Sequence, residues 1–132
     1  MNVNDVVGMV RHVYGKRVVF HDGDAELAPG ITLHHIGGHT AGLQIVTVMT
    51  ARGLVVVASD ACHLYANMET RNPFPVIFEK DKVLAGYDTL ERLAPSPGHI
   101  VPGHDSLVMD HYPPVSDDLS GIAVSLDEAP EK

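Results

Sequence analysis

Nine histidines in a chain of 132 residues are the clearest chemical resource of this sequence. Three side chains stand out by position. His39 follows the apolar run 31–36, Asp60 follows 54–59, and His104 follows 99–101. If these runs are neighbouring strands, their ends deliver imidazole, carboxylate and imidazole to one rim of a sheet. Zinc accepts that donor set, and a carboxylate can bridge two ions. The glycines Gly37 and Gly38 allow a sharp bend just before His39, because they carry no Cβ. Taken singly, each residue reads as a loop histidine or a capping aspartate. Together they offer the donor set of a metal centre.

The elements that must position these residues follow from periodicity. Val6, Val7, Val10 and Val13 recur at helical spacing over residues 4–14, with Asn4 as N-cap and Gly15 past the end. Their β-branching lowers helix propensity, so this helix needs tertiary packing. Residues 17–21 are β-branched and aromatic and predict a strand, closed by the turn Asp22-Gly23-Asp24. Residues 25–27 lead to a turn at Pro29-Gly30. A strand over 31–36 then places Ile31, Leu33 and His35 on one face. Residues 43–50 and 54–59 predict two further strands joined by a hairpin at 51–53. The second is apolar on both sides, as a central strand is.

Residues 61–78 read as irregular, with Asn72-Pro73-Phe74-Pro75 at their heart. A helix is predicted from an N-cap at Asp81, its face formed by Val83, Leu84, Tyr87, Leu90 and Leu93. Pro95, Pro97 and Gly98 end it. A short strand covers 99–101. The acidic tail that follows residue 112 holds a possible edge strand at 122–126, and its final few residues are expected to be disordered.

Composition narrows the partners. A hydrophobic fraction of 45% supports one domain with a sizeable core. Nine Lys and Arg against seventeen Asp and Glu give a net charge of −8, which argues against nucleic acid or an anionic membrane as partner. The longest apolar stretch, Leu54 to Ala58, falls far short of the roughly 20 residues that span a bilayer. The N-terminus shows no basic segment leading into an apolar one, and the lone Cys62 has no partner for an internal disulfide. A cytoplasmic chain is the expectation.

The segments Gly38-His39-Thr40-Ala41-Gly42, Ser59-Asp60-Ala61 and Pro102-Gly103-His104-Asp105 resemble, in this order, the metallo-β-lactamase superfamily and within it the N-acyl homoserine lactonases. Tyr65-Ala66-Asn67-Met68-Glu69 and Gly86-Tyr87-Asp88-Thr89-Leu90 extend the resemblance over residues 17–112. It implies an α+β fold, the αββα sandwich, with a mixed, largely antiparallel sheet and flanking helices. It also implies a dinuclear Zn2+ site in which His39 binds one ion, Asp60 bridges both and His104 binds the second. The implied reaction is opening of a lactone ring to an N-acyl homoserine, with Asp60 in the catalytic machinery. Relatives place a substrate-contacting tyrosine three residues after the bridging aspartate; here His63 holds that position and Tyr65 lies two further on.

The superfamily's His-x-His-x-Asp-His signature occurs nowhere in these residues. From this chain each ion then has two protein ligands, whereas catalytic zinc sites use three. The chain accordingly reads as the C-terminal half of the sandwich: one partial domain with a leading helix at 1–16, the matched region at 17–112 and an acidic tail at 113–132. It is expected to be weakly active or inactive alone, with a small-molecule lactone as substrate. Its uncovered sheet face is expected to associate with a second copy or with the missing N-terminal half. Two other readings are a non-catalytic oligomerising remnant of the fold and a glyoxalase II-type thioester hydrolase. His35 is expected to support the site, and His34, His99 and His111 to be structural.

Overall fold

The β-branched residues on either side of Ala51-Arg52 form a hairpin, β3 (Gln44–Thr50) and β4 (Gly53–Ser59), closed by the Thr50 and Gly53 pair. Gly53 has φ +110, which a side chain would resist. The computed structural model describes residues 2–131 and builds outward from this hairpin. On one side β2 (Ile31–His35) pairs antiparallel with β3, and β1 (Ala25–Ala28) pairs antiparallel with β2. On the other, β5 (Ile100–Pro102) runs parallel to β4. The result is an α+β fold with a five-stranded mixed sheet of order β1-β2-β3-β4-β5.

A parallel pair needs a crossover, and residues 60–99 provide it. They contain α2 (Tyr65–Glu69) and α3 (Lys80–Leu93). The apolar side of α3 presents Val83, Tyr87 and Leu90 to Ile45, Val56, Ala58 and Ile100 of the sheet, forming the main core. Gly86 permits this close packing, since a Cβ there would lie 2.9 Å from Ile36 Cγ2. The opposite sheet face carries two apolar cross-strand rows. One runs Ala25, Leu33, Val46, Val57, Val101; the other runs Ala28, Ile31, Val48, Val55. Val55 and Val101 are buried under Tyr112, with Val108, Val124 and Leu126 around them, so β4 is covered on both sides as expected.

Several expectations about local structure are corrected. Residues 17–21 form no strand, because no neighbour pairs with them; Val19 and Phe20 are exposed, and the sheet edge is β1 instead. The first helix, α1 (Val3–Tyr14), is capped by the side chain of Asn2 rather than of Asn4, whose N–H donates to it at 2.9 Å. None of its residues is buried, so the apolar stripe is open. α3 begins after Glu79 rather than Asp81. The 61–78 segment is not wholly irregular, since it contains α2, whereas its Asn72-Pro73-Phe74-Pro75 stretch lacks regular structure as expected.

The residues beyond β5 form a short helix, α4 (Leu107–His111). The expected edge strand at 122–126 is reduced to a single bridge between Pro114 and Val124. The tail packs back on the fold, with the Glu131 N–H donating to His111 O at 2.7 Å; Lys132 lies outside the described residues.

Candidate metal centre

Asp60 is aimed by an unfavourable backbone. Ser59, the last residue of β4, has φ 48, a left-handed conformation that costs a non-glycine residue about 1–2 kcal/mol. The neighbouring loop is held against this turn. Gly103 N–H donates to Cys62 O at 2.9 Å and His104 N–H to His63 O at 3.0 Å. A Cβ on Gly103 would lie 2.6 Å from Ser59 O, so only glycine fits between the two strand ends. These bonds place the His63 and His104 rings 5.2 Å apart and nearly parallel.

His39 arrives from β2. Gly38 has φ +88, and a Cβ there would clash with Val83 at the start of α3. The Gly38 carbonyl accepts the N–H groups of Phe78 and Glu79, docking the loop on that helix. His35 bonds the same loop through Nε2 and Ala41 O, 2.9 Å apart.

Three imidazoles thus surround one carboxylate. His104 Nε2 lies 2.6 Å from Asp60 Oδ1, His63 Nε2 3.6 Å from the same oxygen, and His39 Nε2 3.8 Å from Oδ2. The donor atoms of His39, Asp60 and His63 all fall within 4.8 Å of one another. Leu64, Phe74 and Val76 complete a cleft of about 580 Å³ over this cluster. Phe74 stacks on His63 with ring centroids 4.7 Å apart. Burial is the chief reason the His63 pKa is lowered, and nearby His39 and His104 add to it against the pull of Asp60. A neutral imidazole is the form that binds metal.

Tyr65, the other candidate after Asp60, is not among the residues lining this cleft. Its ring packs 5.1 Å from that of His111, and burial raises its phenol pKa above the usual range. Its backbone N–H donates to Asp105 Oδ2 at 2.9 Å, while Asp105 Oδ1 accepts from Leu107 at 3.0 Å. Asp105 therefore ties α2 to the loop that carries His104. Sequence reasoning assigned no role to Asp105 or Phe74; the stacking of Phe74 is invisible without the fold, whereas an aspartate before a short helix is a readable cap. Cys62, behind the cluster, is buried, and desolvation pushes its thiol up to about 11.

Two other histidines, His34 and His99, have partners elsewhere. His34 lies between Asp24 Oδ2 at 2.9 Å and Thr47 Oγ1 at 3.0 Å, and its hydrogen bond is the main cause of the lowered Asp24 pKa. His99 bonds Ser96 and the Arg52 carbonyl.

The cluster fits a divalent ion. Neither nitrogen of His39 has a hydrogen bond among the described residues, and its Nδ1 is fully buried, a costly state for a polar atom. Imidazoles and a carboxylate are ligands that zinc-type ions take.

No protein-family model matches this chain. Over 86 residues, 64% of its length, it is 34% identical to an N-acyl homoserine lactonase from a Bacillus species. The chain is similar to these lactonases in sequence and in fold. A solved N-acyl homoserine lactone hydrolase, with the product N-hexanoyl-L-homoserine bound at its catalytic metal center, matches 68% of the chain with a TM-score of 0.59 and 27% identity. A probable metal-dependent hydrolase from Staphylococcus aureus shares the fold over 75% of the chain, with a TM-score of 0.62 and 18% identity. The chain covers 34%, 36% and 35% of these three proteins, about a third of each.

Proposed function

We propose that this chain is a lactonase-type, metal-dependent hydrolase segment whose substrate is an N-acyl homoserine lactone and whose metal is zinc. The observation that carries this reading is the convergence of His39, His63 and His104 on Asp60 at the end of β4. The similarity to lactonases supports the substrate class. His39, Asp60 and His104 are the ligands that the resemblance implies. When bound, the ion supplies electrophilic polarisation of an ester carbonyl and activation of water at neutral pH.

The chain's own residues orient the substrate. Leu64, Phe74 and Val76 form an apolar wall beside the cluster, suited to an acyl chain. His63 stands at the cleft in the position where relatives place a substrate-contacting tyrosine. Tyr65 acts on the site through its backbone bond to Asp105 rather than through its phenol.

The domain is incomplete in this reading. The half-buried rows containing Leu33, Val46 and Val48, together with the open apolar stripe of α1, call for a covering layer, supplied by a second copy or by another segment of the sandwich. Turnover by the chain alone is therefore slow.

Zinc-loaded wild type and Asp60→Ala, assayed on an N-acyl homoserine lactone and on a thioester, test the function. The expected result is slow ring opening that disappears in Asp60→Ala. Hydrolysis of the thioester alone would overturn the substrate class, and equal lactone turnover by both proteins would overturn the site.

A further inference from the structure

The resemblance distributes His39, Asp60 and His104 over two ions. The geometry points to a different division of labour, which rests on the metal reading above. We propose that the chain holds a single zinc-type ion through His39, Asp60 and His63, and that His104 is a positioning residue for the Asp60 carboxylate.

Distances favour this set. Ligand atoms about 2.0–2.1 Å from a tetrahedral zinc ion are separated from one another by about 3.3 Å. The observed separations, 3.8 Å from His39 Nε2 to Asp60 Oδ2 and 3.6 Å from His63 Nε2 to Asp60 Oδ1, are to different oxygens of the carboxylate and each lies within about half an ångström of that spacing. All three donor atoms lie within 4.8 Å of each other, a grouping that does not include His104.

His104 is engaged differently. At 2.6 Å, its Nε2 and Asp60 Oδ1 form a hydrogen bond. A nitrogen that donates a proton there cannot offer a lone pair to an ion, so ligation by His104 requires losing that bond. Positioning by His104 keeps it. Carboxylate ligands are commonly held in this way by a hydrogen-bonding neighbour.

Shelter follows the same division. The side chains of His63 and His39 are 11% and 18% exposed, whereas that of His104 is 62% exposed. An ion held by this trio would also give a partner to the His39 ring, which has no hydrogen bond among the described residues. A set of three protein ligands is that of catalytic rather than structural zinc. His63 would thereby supply the third protein donor of the set.

Equilibrium dialysis of the chain against Zn2+, with elemental analysis, tests the proposal alongside the Co2+ absorption spectrum as a readout of ligand geometry. Circular dichroism checks that each variant is folded. The expected result is one ion per chain, with affinity lowered about a hundredfold or more in His63→Ala and His63→Tyr. In His104→Ala the loss should be nearer tenfold, the lower end for a residue that orients a ligand. The Co2+ spectrum should change in the His63 variants and persist in His104→Ala. Two ions per chain would overturn the proposal, as would wild-type affinity in the folded His63 variants with loss in His104→Ala; both leave the metal reading standing. Equal absence of binding in wild type and Asp60→Ala would overturn the metal reading itself.

Discussion

The two ends of β4 are built on opposite principles. At the Gly53 end, Arg52 donates through Nε to Leu126 O at 2.8 Å, and through its two terminal nitrogens to Gly98 O at 2.9 Å and Tyr112 Oη at 3.2 Å. Its guanidinium also lies 5.2 Å from the centroid of the Tyr112 ring, and its carbonyl accepts from His99. At the Asp60 end, Ser59 is in a left-handed conformation, the His39 side chain has no hydrogen bond among the described residues, and three imidazoles crowd one carboxylate. One end satisfies its polar groups and anchors the tail. The other withholds satisfaction and leaves a cleft, the pattern expected where strain and open donors serve binding.

Substitutions can break this contrast from either side. The largest expected effect is at the anchored end: Arg52→Ala removes three charge-assisted bonds and should cost about 2–3 kcal/mol in a denaturant titration. Metal affinity per folded molecule should stay unchanged. At the site end, Gly103→Ala forces a Cβ into the Ser59 carbonyl and should cost about 2 kcal/mol. Because it separates Asp60 from His104, calorimetry should also show weaker zinc binding.

A smaller effect of opposite sign is expected from His39→Leu, which exchanges an unpartnered buried nitrogen for carbon. The metal-free protein should gain up to about 1 kcal/mol in the same titration while metal uptake falls. The smallest effect is a pH dependence. Burial lowers the His63 pKa below its ordinary 6.5, so in the metal-free chain the unfolded state binds more protons just below that pH. His63 thus contributes stability that is complete above about pH 6.5 and declines as pH falls through its folded value. A pH series of unfolding midpoints should show this decline flattened in folded His63→Tyr.

Much of the scaffold was readable because its signals are local. The β-branched runs of β3 and β4, the glycine at their turn and the helical spacing of Val83, Tyr87 and Leu90 each specify an element without help from the rest. Residues 17–21 carry the same β-branched signal but no partner strand, and pairing is not a local property. The edge strand expected at 122–126 failed for that reason, reduced to one bridge.

His39, Asp60 and His104 were legible as residues following strand signals, although their convergence depends on β4 and β5 being parallel neighbours. The choice between His63 and Tyr65 was not legible. It is set by the turn after Ser59 and by α2, which starts at Tyr65 and turns its ring toward His111. The stacking of Phe74 on His63 required the whole crossover to be in place.

If the Asp60 cluster is a metal site, chemical unfolding of wild type and Asp60→Ala with and without Zn2+ should reveal it. A ligand that binds only the folded state stabilises it by about 2.7 kcal/mol at a hundred times its dissociation constant. Zinc should raise the wild-type midpoint and leave that of Asp60→Ala unchanged. An equal rise in both proteins, or none in either, would contradict the metal reading.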